Sequence, residues 1–204
     1  MARDSGSAMA RRLIDLSYPH LSYPHSPYPH LGVGATRTTL TAPSVGSGLG
    51  AGLRVKLAEM PAVCIDVSAG RIARIDADGA IDLRRIGELD FEGVAVLIRT
   101  GFQEGAAAKD PQPHLTIAAA EALLSGGAGL IGIDTAALDK TVDPATPAHI
   151  RLLEAGVPVV TNLRGLDALR VVGFCFSAVL PSRVDSGPFT IRAFATIDDE
   201  RYVG

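Results

Sequence analysis

The feature that most constrains the fold is the order of runs between residues 94 and 160, where short apolar segments alternate with helix signals. Val94–Thr100 and Leu130–Thr135 are apolar and β-branched runs of strand length, and Val157–Val160 is a third, with Pro158 marking a strand start or an edge. Between them lie two helix patterns. Thr116 is placed to cap Ile117–Leu124 before Gly126-Gly127, and Thr146 with Pro147 opens His149–Glu154 before Gly156. A strand, helix, strand, helix, strand order demands parallel strands joined by crossovers, with the helices against the sheet. A mixed α/β fold follows.

The rest of the chain fits around that unit. Ala62–Val67 reads as a buried strand. The runs Phe174–Leu180 and Phe189–Ile197 flank the turn residues Asp185-Ser186-Gly187-Pro188 and are suited to a hairpin that closes the sheet. Residues 1–10 show no periodicity and read as a leader, leaving 11–204 as one domain. Within it, Tyr18-Pro19-His20, Tyr23-Pro24-His25 and Tyr28-Pro29-His30 repeat every five residues, and their prolines exclude a helix or a central strand, so 17–31 is an extended arm.

A chain of 204 residues, 47% hydrophobic, can bury a core without disulfides. Cys64 and Cys175 both sit in apolar runs and are expected to be buried thiols in a reducing compartment. The net charge of -3 and scattered basic residues exclude a nucleic-acid partner. No stretch is apolar enough to span a bilayer, which with the thiols points to a cytoplasmic protein without a membrane partner.

Six segments stand in a telling order: Asp15-Leu16-Ser17, Tyr28-Pro29, Val96–Phe102 (VLIRTGF), Gly132-Ile133-Asp134-Thr135, His149–Leu153 and Val159–Leu163 (VVTNL). Together, over residues 13 to 198, they resemble the cyclase family that includes bacterial kynurenine formamidase. The resemblance implies a swivelling β/β/α fold with a mixed central sheet flanked by helices, and assembly as a homodimer or homotetramer. It also implies, in active relatives, a metal-activated water that opens an amide or lactone of a small-molecule substrate.

The family signature H-x-G-T-H-x-D-x-P-x-H falls, by its proline, on Ala35–Val45. Ala35 and Thr39 then replace two histidine ligands, Thr41 the bridging aspartate, and Val45 the proton-transfer histidine. His149 matches a further ligand, but Thr161, twelve residues on, replaces the glutamate of a Val-Glu-Asn-Leu pattern. Threonine hydroxyls and alkyl groups are poor ligands for a divalent first-row metal. No metal and no other cofactor is therefore expected.

The catalytic candidates that remain are Arg37, His25, His30 and His149, with Tyr28, Thr39, Thr41, Thr161 and Arg99 as substrate-binding candidates. Arg37 stands where the family has glycine, and a guanidinium there can stabilise an oxyanion or bind a carboxylate; the alternative is a solvated strand residue. In relatives the Tyr-Pro-Gly segment lines the pocket mouth, often of a neighbouring subunit. His30 takes its glycine position, and the arm histidines either supply a proton-transfer group or are merely solvated. His149 is expected in the pocket, bonded to Thr41 or Thr161. Arg99 and Asp134 end strands of the parallel core, where ligand crevices open, yet a salt bridge between them would explain both.

These residues fit a metal-independent cyclase, hydro-lyase or hydrolase-like enzyme acting on a carbonyl-rich substrate, of the kind found in bacterial secondary (for example polyketide) metabolism. The alternatives are a non-catalytic metabolite-binding pseudoenzyme, or an amide or lactone hydrolase whose metal site is rebuilt from His20, His25, His30 and His149.

Overall fold

The computed structural model describes residues 11–18, 37–43, 57–68, 73–83, 86, 89–102, 111–140, 145–180 and 188–198. Twelve strands and two helices are formed by these residues. The strands are β1 (Arg11–Asp15), β2 (Thr39–Thr41), β3 (Met60–Asp66), β4 (Arg74–Ile75), β5 (Ala80–Asp82), β6 (Ala95–Arg99), β7 (His114–Leu115), β8 (Leu130–Ile133), β9 (Val159–Thr161), β10 (Phe174–Val179), β11 (Phe189–Thr190) and β12 (Arg192–Asp198). The helices are α1 (Ile117–Ser125) and α2 (Pro147–Glu154).

Nine strands form one mixed sheet in the order β1-β12-β10-β3-β6-β8-β9-β2-β11, and β4, β5 and β7 form a smaller one. β3, β6, β8 and β9 are mutually parallel, as the alternating strand and helix signals require. The mixed α/β fold expected from the sequence is therefore the one observed. β9 lies between β8 and β2, so Pro158 marks a strand start, its carbonyl accepting from Ile131 N–H.

The expected hairpin forms only in part. β10 pairs with β12, but Phe189–Thr190 pairs instead with β2. Since β11 and β12 are separated by Ile191 alone, the two ends of the sheet meet there and the sheet curls. Ile191 N–H closes the seam on the Thr38 carbonyl at 3.0 Å.

The curled sheet separates two cores. Inside the roll pack Leu16, Leu40, Cys64, Leu97, Leu130, Val160, Leu163, Leu166, Phe176 and their neighbours. On the outer side Val96, Ile98, Ile131, Ile133 and Val159 meet both helices and the small sheet. Gly132 is required by the inner packing: a Cβ there would lie 2.6 Å from Leu97 Cδ2 and 2.8 Å from Leu163 Cδ1.

α1 begins as its sequence says, with the Thr116 side chain accepting from Ala119 N–H. α2 does not. Thr146 is left-handed (φ 39°) and its side chain caps nothing; the Asp139 carboxylate instead accepts from Ala148 N–H at 2.8 Å and His149 N–H at 3.0 Å. A carboxylate caps those amides better than a neutral hydroxyl, since it meets the positive end of the helix dipole. Cys64 is buried, and burial pushes its thiol up to about 12, but Cys175 is only half-buried because it faces the outside of the sheet between Phe174 and Phe176.

Candidate functional site

Three of the residues that replace expected metal ligands, Thr39, Thr41 and Thr161, are brought together. In the antiparallel pairing of β2 with β9, Thr39 is the direct partner of Thr161 and Thr41 is the partner of Val159. Cross-strand partners share a face, and Val159 belongs to the outer core with Ala148 and Leu152 of α2. The period of two therefore puts Thr39, Thr41 and Thr161 on the side of the sheet where α2 packs. His149 lies in the first turn of that helix.

This face offers hydroxyls rather than ligands for a cation. Thr39 Oγ1 donates to the Arg37 carbonyl at 3.1 Å, so its proton is already committed locally. Neutral hydroxyl oxygens compete poorly with water for a divalent ion, and no group of three His, Cys, Asp or Glu suited to a metal occurs among the described residues. The donor set does not fit the metal that the family resemblance implies.

His149 does not bond to Thr41 or Thr161 as expected. Its Nε2 is buried with no hydrogen-bond partner among the described residues. Burial holds the imidazole below the usual histidine range, against the opposing pull of Asp139, so it is kept as a neutral base.

Arg37 stands two residues before Thr39 and is half-buried. Its carbonyl is fixed by Thr39 Oγ1 and by Asn162 Nδ2 at 3.2 Å. Its guanidinium makes no ion pair among the described residues. His25, His30 and Tyr28 lie outside the described residues, as do Ala35, Val45 and His20.

Arg99 is not part of this face. It alternates with Ala95 and Leu97 toward the inner core and pairs with Asp66 at 2.9 Å, not with Asp134. Asp134 instead accepts from Thr100 N–H and Oγ1–H and from Gly101 N–H. Burial raises its pKa against those three donors. Both residues line a crevice of about 230 Å³ with Gly101, Phe102, Leu163, Arg164 and Asp167. A larger crevice, about 480 Å³, lies between the small sheet and the start of α1 and contains none of the residues singled out from the sequence.

A network that the sequence did not disclose ties these parts together. Thr38 is 2% exposed; its Oγ1 accepts from Tyr18 N–H at 2.6 Å and donates to the Asn162 carbonyl at 3.1 Å. Arg164 donates to Asn162 Oδ1 at 3.0 Å and to the Asp134 carbonyl at 2.6 Å, and its guanidinium lies 4.5 Å from the centre of the Tyr18 ring. The base of the Tyr-Pro-His arm is thereby fixed to the end of β9. Asn162 had a local signal, being an amide directly after a strand, and it adopts a left-handed backbone (φ 64°). Asp139 and Arg164 had none, because each acts across the chain.

Comparison with known proteins agrees with this architecture. No curated protein matches the sequence. Isatin hydrolase A from Labrenzia aggregata, bound to benzyl benzoate, superposes with a TM-score of 0.68 at 22% identity, covering 93% of this chain and 94% of that one. A predicted metal-dependent hydrolase from Bacillus stearothermophilus has a TM-score of 0.68 at 19% identity, covering 92% and 98%. Isatin hydrolase A from Ralstonia solanacearum has a TM-score of 0.62 at 18% identity, covering 97% and 85%. Identities this low speak to the fold alone. The sequence itself matches the Cyclase family model ("Putative cyclase") over residues 30–140, more than half of the chain. The chain belongs to the Cyclase family and is an enzyme of the cyclase type.

Proposed function

We propose that this enzyme opens or closes a ring or amide on a small carbonyl substrate without a metal ion, at the face formed by β2, β9 and the start of α2. The observation that carries the reading is the register Thr39↔Thr161, which sets two hydroxyls where the family resemblance calls for a histidine and a glutamate ligand. The charge such a ligand set would have bound has to come from elsewhere. Arg37 supplies a cation for the oxygen that becomes negative when the carbonyl is attacked. His149 is a neutral base whose Nε2 is available to take the proton of the attacking water or hydroxyl. Thr39, Thr41 and Thr161 orient the carbonyl by hydrogen bonding, and Tyr28, His25 and His30 belong to the arm that approaches the same mouth in relatives. Secondary metabolism, with a polyketide or aromatic amide as substrate, is the setting we favour.

The test is turnover on a panel of isatin, N-formylkynurenine and aromatic lactones, with chelator-treated protein and with added zinc or manganese. Activity that survives chelator, is not raised by either metal and is negligible on N-formylkynurenine is the expected result. Arg37→Ala should lower that activity by about 10²–10³-fold. Activity that appears only with metal would instead favour a site rebuilt from the arm histidines. Full activity in Arg37→Ala would remove Arg37 from the reaction.

A further inference from the structure

We propose that the crevice at the carboxyl ends of β6 and β8 is a second small-molecule site, specific for a monocarboxylate with an apolar body. It stands apart from the proposed reaction face. Thr161 faces the helices, whereas Leu163 and Leu166, which wall the crevice, belong to the core inside the roll. The position has a physical rationale, since crevices in α/β sheets open where parallel strands end and the chains turn away.

The anchor is Arg99. Its Nη1 donates to Asp66 Oδ2 at 2.9 Å, which fixes the plane of the guanidinium. A guanidinium carries five N–H donors, and this is the single side-chain bond that Arg99 makes among the described residues. Arg99 lines the crevice, so the donors that Asp66 does not use are the ones a carboxylate would take, two of them in parallel. Asp66 is in turn held by Ser68, so the anchor is rigid before any ligand arrives.

The remaining walls set what else the ligand must be. Phe102, Leu163 and Leu166 give an apolar surface for the body of the molecule. Gly101, directly before Phe102, takes a left-handed backbone (φ 73°), and a Cβ there would press on Ser68 Cβ at 3.2 Å. At about 230 Å³ the crevice is below the ~300–1,000 Å³ of sites for drug-sized ligands, so a molecule of benzoate size is the match.

Charge limits the ligand to one carboxylate. Asp66 already offsets Arg99, Asp134 has its carboxylate held by three donors, and Asp167 is an exposed acid among the lining residues. A second carboxylate would meet Asp167 and Asp134, and the other cation of the crevice, Arg164, is engaged by the Asp134 carbonyl, Asn162 Oδ1 and the Tyr18 ring.

Titration calorimetry of the full chain with sodium benzoate tests this directly. Saturable binding with a Kd of about 1 mM is expected, within the range that ligand efficiency allows for so small a molecule. Benzyl alcohol, which lacks the charge, and phthalate, which doubles it, should each bind at least tenfold more weakly, as should acetate, which lacks the body. Arg99→Gln should weaken benzoate at least tenfold, and Arg99→Lys by less. Asp167→Asn changes only an exposed residue and should tighten benzoate two- to threefold, which keeps the test decisive if Arg99→Gln does not fold. Arg37→Ala, which tests the proposed reaction, should leave benzoate binding unchanged, so the two readings fail independently. Absence of saturable heat up to 10 mM (about ten times the expected Kd), equal binding of benzyl alcohol, or indifference to both Arg99→Gln and Asp167→Asn would each overturn the proposal.

Discussion

His149 shows how one side chain can be read in two ways until its surroundings are known. As a remnant ligand it would have needed a partner; among the described residues its Nε2 has none, and burial holds its pKa below the usual histidine value. The linkage has a definite sign. An unfolded chain binds the His149 proton at higher pH than the folded one, so stability is complete above about pH 6.5 and falls as pH drops toward the depressed folded value. His149→Gln removes this contribution. Denaturant unfolding of wild type and His149→Gln between pH 5 and 7.5 should therefore show a smaller acid loss in the variant, and parallel curves would assign the acid sensitivity to other groups. Thr38 allows a similar test, because Tyr18 N–H and the Asn162 carbonyl both depend on its hydroxyl. Thr38→Val keeps the shape but removes both bonds at a buried position, and a loss of about 1–3 kcal/mol in denaturant unfolding is expected.

At the level of elements, α1 and α2 were both legible in the sequence, yet only α1 is capped by the residue its pattern indicates. Pro147 and the apolar spacing were enough to locate α2. The capping group was hidden because Asp139 lies eight residues before Pro147 and meets the helix only after the chain has turned. Asp139→Ala should cost about 0.5–2 kcal/mol, at the upper end because the carboxylate is buried, while Thr146→Ala should cost almost nothing. Thermal or denaturant unfolding of the two variants separates the roles, and equal losses would contradict the assignment. The pairing of β2 with β9 was not legible, since a three-residue strand of Thr-Leu-Thr has no pattern of its own; the family signature indicated only that Thr39, Thr41 and Thr161 stand at ligand positions. Arg99 was legible as a strand-end residue and does line a crevice there, but one step along a strand reverses the face, so the sequence did not say that it lies on the other side of the sheet from Thr39 and Thr161. The network through Arg164 and Asn162 was not legible at all, because it joins residues from four separate parts of the chain.

At the scale of the whole molecule, one end of the sheet is uncovered among the described residues, and we propose that copies of the chain associate there. Both helices pack over the parallel strands, so the outer side of β1, β12 and β10 has no layer against it among the described residues. It presents Leu13, 66% exposed, in one row with Thr196 and Cys175, and Val179 beside Arg192. β1 is also the outermost strand of the sheet, and an open edge carrying an exposed leucine is a template for a further strand. A second copy of β1 fits it. An antiparallel pairing with the twofold axis at Leu13 sets Arg11 opposite Asp15 of the other copy and Arg12 opposite Ile14, so opposite charges meet at both ends of the seam. Arg11 already reaches Glu59 and Asp198, and Arg192 reaches Asp15, so the new pairs would extend an existing chain of charges. The chain is accordingly expected to sediment as a dimer or a multiple of it. Leu13→Lys places like charges across the axis and removes the apolar contact, and should shift the population to monomer without lowering the thermal midpoint of the monomer fold, because Leu13 contributes to neither core. A wild-type chain that sediments as a single species at the monomer mass would refute the assembly, and a Leu13→Lys variant that stays dimeric would move the interface away from β1.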